Sequence, residues 1–232
     1  TNTTFMQRSY DQISHDVCIN SLPVTILLNY NNFDGLTDVS HLGIFGLSAF
    51  SNIPNLVVLS PSSKQDLQNC LNWALDQNEK PVMILMPGGS VLDDESKIDF
   101  NNLSYTEKIK GEKVAILALG DFYQKGEKLA KVVKENLGFT PTLINPIFAS
   151  NVDTKLLEEL KKNHRAIITL EDGILDGGFG EKIARFYSDS SVKVKCFGLE
   201  KKFYDRYDPQ DLLEKLGITN ENMLKTIKDM IN

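Results

Sequence analysis

What this sequence lacks first is positive charge at its start. Arg8 is the single Lys or Arg in the first 63 residues, set against Asp11, Asp16, Asp34 and Asp38. Residues 1–110 hold 6 Lys and Arg against 12 Asp and Glu, whereas residues 111–232 balance at 19 each. The opening segment therefore cannot clamp a phosphate with several arginines, and a net charge of -6 argues against nucleic acid as the main partner. No apolar run approaches the roughly 18 residues that span a bilayer. Thr1–Thr4 is neither basic nor followed by an apolar stretch, so no signal peptide is expected. Cysteine is scarce: Cys18, Cys70 and Cys196 are odd in number and widely spaced. They read as reduced core thiols of a cytoplasmic protein rather than a disulfide framework or a zinc site. The three histidines lack metal-ligand spacing, and no Gly-x-Ser-x-Gly elbow occurs, so the reading places no metal among these residues.

What is present is an alternation. Val24–Leu28, Leu56–Leu59 and Val82–Met86 are short continuous apolar runs, the pattern of strands buried on both faces. Between the second and third, Leu67, Cys70, Leu71, Ala74 and Leu75 recur at helical spacing over Lys64–Asn78, with Ser62 and Ser63 as capping candidates. Phe5–Ile19 is also helical in pattern, with Phe5, Met6, Tyr10, Ile13 and Val17 on one face, and a short helix is expected over Leu47–Ile53. Gly88–Lys113 is polar and without period, a linker holding at most one short strand. The alternation then resumes with strands at Val114–Leu119, Thr142–Asn145, Ala166–Leu170 and Val192–Phe197. Helices are expected at Tyr123–Leu137, Thr154–Lys162, Phe179–Tyr187, Pro209–Leu216 and Glu221–Ile231. This rhythm predicts an α/β protein of two domains with mainly parallel sheets flanked by helices. Three strands before the linker leave sheet edges open, which a partner chain or preceding residues would have to cover.

Two stretches hold candidate chemistry. Thr169–Lys182, TLEDGILDGGFGEK, is rich in glycine between a strand and a helix, but Glu171, Asp172 and Asp176 repel an anion. The glycines read as a tight turn, and Glu171 as a contact between domains or subunits. Asn29–Phe45, NYNNFDGLTDVSHLGIF, is punctuated as a loop and carries His41. Of the other histidines, His15 reads as a surface residue, and His164 as a cation suiting a helix C-terminus.

The order and spacing of several pieces carry a resemblance. TFMQRSYDQISHDVCINSLPV, SHLGIFGLSAFSNIPNLVVLSPS and TLEDGILDGGFGE resemble stretches of 1-deoxy-D-xylulose-5-phosphate synthases, thiamine-diphosphate enzymes of the transketolase superfamily. The resemblance implies that residues 1–88 are the latter part of a pyrimidine-binding domain, 89–111 a linker and 112–232 a C-terminal transketolase domain. It implies a homodimer using thiamine diphosphate to decarboxylate pyruvate and pass two carbons to an aldehyde. The family's catalytic glutamate, magnesium site and pyrophosphate-binding domain lie upstream of Thr1, so the chain is expected to be a C-terminal fragment, inactive alone.

By the same resemblance Phe5 and Arg8 are cofactor contacts and His41 is the catalytic histidine of the substrate channel. Asp38 lies beside Thr37, the position of a family aspartate, and Tyr30 replaces an arginine that anchors substrate phosphate. Leu85 and Gly88 replace two further arginines. A bidentate arginine–phosphate pair has no substitute in Tyr or Leu. Three function classes follow: a synthase using a phosphorylated aldehyde, a related transferase with another acceptor, and a non-catalytic dimerisation module.

Overall fold

The computed structural model describes residues 1–29, 32–34, 36–88 and 96–232. Tyr30 lies outside the described residues, as do residues 31, 35 and 89–95. The first three apolar runs form the expected strands, β1 (Thr25–Leu28), β2 (Val57–Leu59) and β3 (Val82–Leu85), in a parallel sheet of order β1-β3-β2. Every residue of β2 and β3 is buried, as continuous apolar runs require.

The opening segment departs from one regular helix. It winds through α1 (Thr3–Met6), a 3-10 turn, α2 (Tyr10–Gln12) and a π turn over Ile13–Cys18. Asn20 donates its amide to the His15 and Asp16 carbonyls, satisfying acceptors at the end of that wide turn. The apolar face is also split. Ile13 and Cys18 are buried, whereas Phe5 and Tyr10 look outward. Next come α3 (Gly46–Phe50) and α4 (Lys64–Asp76), the latter capped by the Ser63 side chain on the Asp66 N–H at 3.0 Å.

The second half is a five-stranded sheet of order β4-β6-β5-β7-β8, built from β4 (Thr106–Ile109), β5 (Lys113–Ala118), β6 (Thr142–Asn145), β7 (His164–Ile174) and β8 (Lys193–Leu199). Only β4, the short strand in the polar stretch, runs antiparallel to its neighbour. The connecting helices are α5 (Tyr123–Leu137), α6 (Thr154–Asn163) and α7 (Phe179–Tyr187), followed by α8 (Pro209–Lys215) and α9 (Asn220–Ile231). Gly138, at φ 72°, stops α5 in the left-handed conformation that glycine tolerates best. No helix among the described residues is long and apolar enough to cross a membrane. Cys18, Cys70 and Cys196 are free.

His164 corrects its expected role. It ends α6 as expected, but it also begins β7 and is buried, so it does not serve as a cation there. Its Nδ1 donates to the Leu160 carbonyl at 3.0 Å, and the Thr142 hydroxyl meets its Nε2 at 2.8 Å. Thr142 in turn accepts the Gly111 N–H at 3.0 Å. Burial holds the ring's pKa below its ordinary value, which favours the neutral form this chain of bonds uses.

Parts of the first sheet's edges are paired from within the chain. Ser60 donates its N–H to Ile147 O at 2.7 Å and Ala149 donates to Val58 O at 2.8 Å, pairing the edge of β2 with residues 147–149. On the far side Asn29 donates to Thr1 O at 2.9 Å and Thr3 donates to Asn29 O at 3.0 Å. At these positions the strand edges find hydrogen-bond partners within the chain.

Behind the seam, Asp66 is fully buried and saturated. One oxygen takes the Ser96 N–H at 2.8 Å, and the other takes Ser62 Oγ, Ser96 Oγ and Asn145 Nδ2, each at 3.1 Å. Asn145 ends β6, so this network joins α4 to the second sheet. Truncation would strand several buried donors. Asp66→Ala is expected to lower unfolding free energy by about 3 kcal/mol, and Asp66→Asn by less. Urea unfolding checks this; an unchanged midpoint for Asp66→Ala would show the network to be dispensable.

Candidate functional site

The candidate site lies at the carboxyl end of β1, where ligands gather in parallel sheets. Thr3 binds Asn29 twice, through its N–H at 3.0 Å and its hydroxyl at 2.9 Å, which fixes the start of α1 beside the opening loop. Gly46 lets α3 approach: a Cβ there would lie 2.3 Å from the Thr3 methyl. These constraints aim Phe5 at His41. Their rings meet edge to face with centroids 5.5 Å apart and planes at 84°. Phe5 remains 48% exposed, so its ring keeps a free apolar surface.

His41 is partly buried. Its Nδ1 lies 2.9 Å from the Ser40 hydroxyl, and its Nε2 has no hydrogen-bond partner among the described residues. With Ser40 donating, Nε2 carries the ring proton and is a donor; in the other tautomer it is an acceptor. Either way the ring offers one nitrogen for proton exchange with a small molecule.

The remaining sequence candidates are placed differently. Asp38 shapes the turn through its carbonyl, which takes the His41 and Leu42 N–H groups at 2.9 Å each. Its carboxylate is exposed and unengaged among the described residues. Arg8 is exposed and forms no ion pair among them. The structure thus brings Phe5 and His41 together and leaves Arg8 and Asp38 outside that contact.

Sequence reading missed what holds the loop. The second domain grips it at several points: the Phe33 N–H on Asp172 Oδ1 at 3.0 Å, the Asn32 amide on Asp121 at 2.8 Å, and the Val39 N–H on Asp205 at 3.2 Å. The Tyr207 hydroxyl donates to the Phe33 carbonyl, and the Arg206 N–H donates to Thr37 O at 2.9 Å. Beside the loop opens a groove of about 580 Å³, walled by Tyr10, Val39, Phe45 and Phe203. The run Asp205-Arg206-Tyr207 and the Glu171–Asp172 pair carried no motif that announced this bracing.

Known proteins share this fold. The family model described as "Transketolase, pyrimidine binding domain" matches residues 1–91, and "Transketolase, C-terminal domain" matches residues 105–223. The chain belongs to the transketolase family. It is 32% identical to the 1-deoxy-D-xylulose-5-phosphate synthase of Clostridium tetani, over 99% of this chain and 37% of that protein. The synthase of Alkaliphilus oremlandii is 35% identical over 97% of this chain and 37% of its own length. A solved structure described as a split gene transketolase, inactive beta4 tetramer, superposes with a TM-score of 0.86 at 25% identity, covering 99% of this chain and 74% of that one. A transketolase variant from Pichia stipitis has the same fold, with a TM-score of 0.77 at 13% identity. This transketolase-family chain spans well under half the length of the curated relatives it matches.

Within the transketolase C-terminal domain, Glu171 turns out to serve its own helix. It is fully buried, and its two oxygens accept the Phe179 N–H at 2.8 Å and the Gly180 N–H at 2.7 Å. A Cβ at Gly178 or Gly180 would lie 2.4 or 2.9 Å from that carboxylate, which explains the glycines. The stretch is a carboxylate-capped turn, neither a phosphate cradle nor a contact made by Glu171 across the domains. Lys182 of α7, not Glu171, reaches the other domain, donating to the Ser51 hydroxyl at 2.6 Å.

Burial pushes the Glu171 carboxyl up to about 7, against the two N–H bonds that favour its anion. A folded-state value above the unfolded one of about 4.3 means stability that is fully present below that lower value and lost as pH rises through about 7. Glu171→Gln, which cannot ionise, is expected to flatten the fall in stability between pH 5 and 8, on the order of 3 kcal/mol. Thermal unfolding across that range checks it; equal slopes in both proteins would refute the assignment.

Proposed function

We propose that this chain supplies the pyrimidine-facing side of the catalytic site, and the C-terminal domain, of a thiamine-diphosphate-dependent transferase of the transketolase type. The activity is decarboxylation of pyruvate with transfer of a two-carbon unit to an aldehyde, most like that of the 1-deoxy-D-xylulose-5-phosphate synthases. The observation that carries the reading is the Phe5–His41 contact at the carboxyl end of β1 in a chain of this family. The half-exposed Phe5 ring fits the flat face of an aminopyrimidine. When bound, thiamine diphosphate supplies the electron sink for both steps. His41 exchanges a proton with the substrate through Nε2, and Ser40 holds its ring in register. Arg8 and Asp38 stand at the rim.

The pyrophosphate and its magnesium are held by a pyrophosphate-binding domain outside this chain, and the working unit is a homodimer that includes that domain. The chain alone is inactive, in keeping with the inactive assembly described for the split gene transketolase.

The acceptor is held without an arginine clamp. Tyr30 and Leu85 stand at two anchoring positions, and Leu85 is buried in β3. At the third, Gly88, a Cβ would lie 1.4 Å from the Asn32 amide nitrogen, so no side chain fits while Asn32 keeps its place. Lys125 and Lys128, beside the loop, share a cavity with Asp34, Asp121 and Asp172, which disfavours a phosphate there. The acceptor is therefore an aldehyde whose recognition does not depend on a phosphate bound by this loop.

In the protein that includes the pyrophosphate-binding domain, Phe5→Ala is expected to weaken thiamine-diphosphate binding about tenfold. His41→Ala should leave that binding in place and lower turnover of pyruvate by ~100-fold or more. Calorimetric titration and carbon dioxide release measure the two effects. Full turnover in His41→Ala would remove the histidine from the mechanism, and unaltered affinity in Phe5→Ala would remove the stacking contact.

A further inference from the structure

One cavity serves none of the roles assigned so far. It holds about 110 Å³ between the opening loop and the second domain, and Asp34, Asp121, Asp172, Lys125, Lys128 and Ser62 are among its lining residues. One carboxylate oxygen from each of the three aspartates lies within 4.8 Å of the other two. The fold alone unites them, from the loop after β1, the turn after β5 and the far end of β7.

Crowded acids are common at protein surfaces and signify little alone. Here two buried polar atoms beside them are unsatisfied. Asn32 is only 1% exposed, and its Nδ2 donates to Asp121 Oδ2 at 2.8 Å. Its Oδ1 is buried with no hydrogen-bond partner among the described residues. Asp172 commits Oδ1 to the Phe33 N–H at 3.0 Å, and its buried Oδ2 is likewise without a partner among them. Buried oxygens of this kind are costly unless something electropositive meets them.

The resident lysines do not fill that need. Lys125 forms no ion pair with the three acids among the described residues. Its ammonium lies 5.3 Å from the centre of the Phe122 ring, and burial pulls its pKa down.

We propose that Asp34, Asp121 and Asp172, with the Asn32 amide beside them, form a site for a hard divalent cation, calcium or magnesium. Oxygen ligands of one such ion stand about 3–5 Å apart, in the range the three carboxylates already show. Hydrogen bonds from Gly88 N–H at 2.9 Å, Asn32 and Phe33 orient the two inner carboxylates, as outer-shell donors do around bound metals. The ion ties residues 32–34 to the second domain and so braces the loop that carries His41. This site is independent of thiamine diphosphate and of its magnesium.

The test titrates calcium chloride and magnesium chloride separately into chelator-treated, dialysed protein by calorimetry. At least one cation is expected to bind saturably at a single site. Asp172→Asn should weaken that binding about tenfold or more, and Asp34→Asn should also weaken it. Asp34 is exposed, so its variant keeps the test valid if Asp172→Asn folds poorly. Removing the competing ammonium, Lys125→Gln should tighten binding. No saturable binding of either cation at millimolar concentration overturns the proposal, as does equal affinity in the parent protein and the Asp34→Asn variant.

Discussion

The structure depends on a short stretch of backbone pairing between its two halves. The edge of β2 finds its hydrogen bonds on residues 147–149 of the second domain, and β1 finds part of its own on Thr1 and Thr3. A three-stranded parallel sheet with bare edges would leave buried backbone groups unpaired, so this annexation is a condition of stability. It has a local cost. Ile147 adopts φ 57°, a region that β-branched residues avoid, while remaining fully buried. The Asp66 network offsets that cost by locking α4 to the end of β6 from behind.

Function follows from the same seam. With the halves fixed, Asp121, Asp172 and the 205–207 turn hold the opening loop from the far side, and the loop presents His41 to Phe5. The gripping groups are mostly carboxylates. The loop is therefore built in a field of negative charge, opposite to what a phosphate anchor needs. The loop stretch itself, residues 29–45, holds no Lys or Arg, in keeping with that field.

Much of this was legible in the residues. Continuous apolar runs announced the buried strands, and Ser63 announced the start of α4 as its capping side chain, whereas the Asp153 and Asp208 caps of α6 and α8 emerge only in the structure. Quoted motifs pointed to the family, and through it to Phe5 and His41. The rest was hidden for physical reasons. Helical spacing put Phe5 and Tyr10 on a buried face, but the segment changes winding and turns both outward. His164 read as a helix-end cation because its burial and its bond to Thr142 are joined to it by no local pattern. Glu171 and Asp172 are adjacent yet point to different surroundings, one into α7 and one to the loop, a split that only the strand reveals. Asp34, Asp121 and Asp172 lie far apart in sequence, and their meeting is a property of topology.

The central claim is that this loop keeps its histidine and has no clamp for a phosphate. The most direct measurement follows carbon dioxide release from pyruvate by the protein with its pyrophosphate-binding domain and thiamine diphosphate, comparing glyceraldehyde with glyceraldehyde 3-phosphate as acceptor. The account predicts that the phosphate confers no advantage, so the two acceptors stimulate release with similar kcat/KM. A preference of ~100-fold or more for the phosphorylated aldehyde, the size of effect a lost charge-assisted pair would carry, would contradict it.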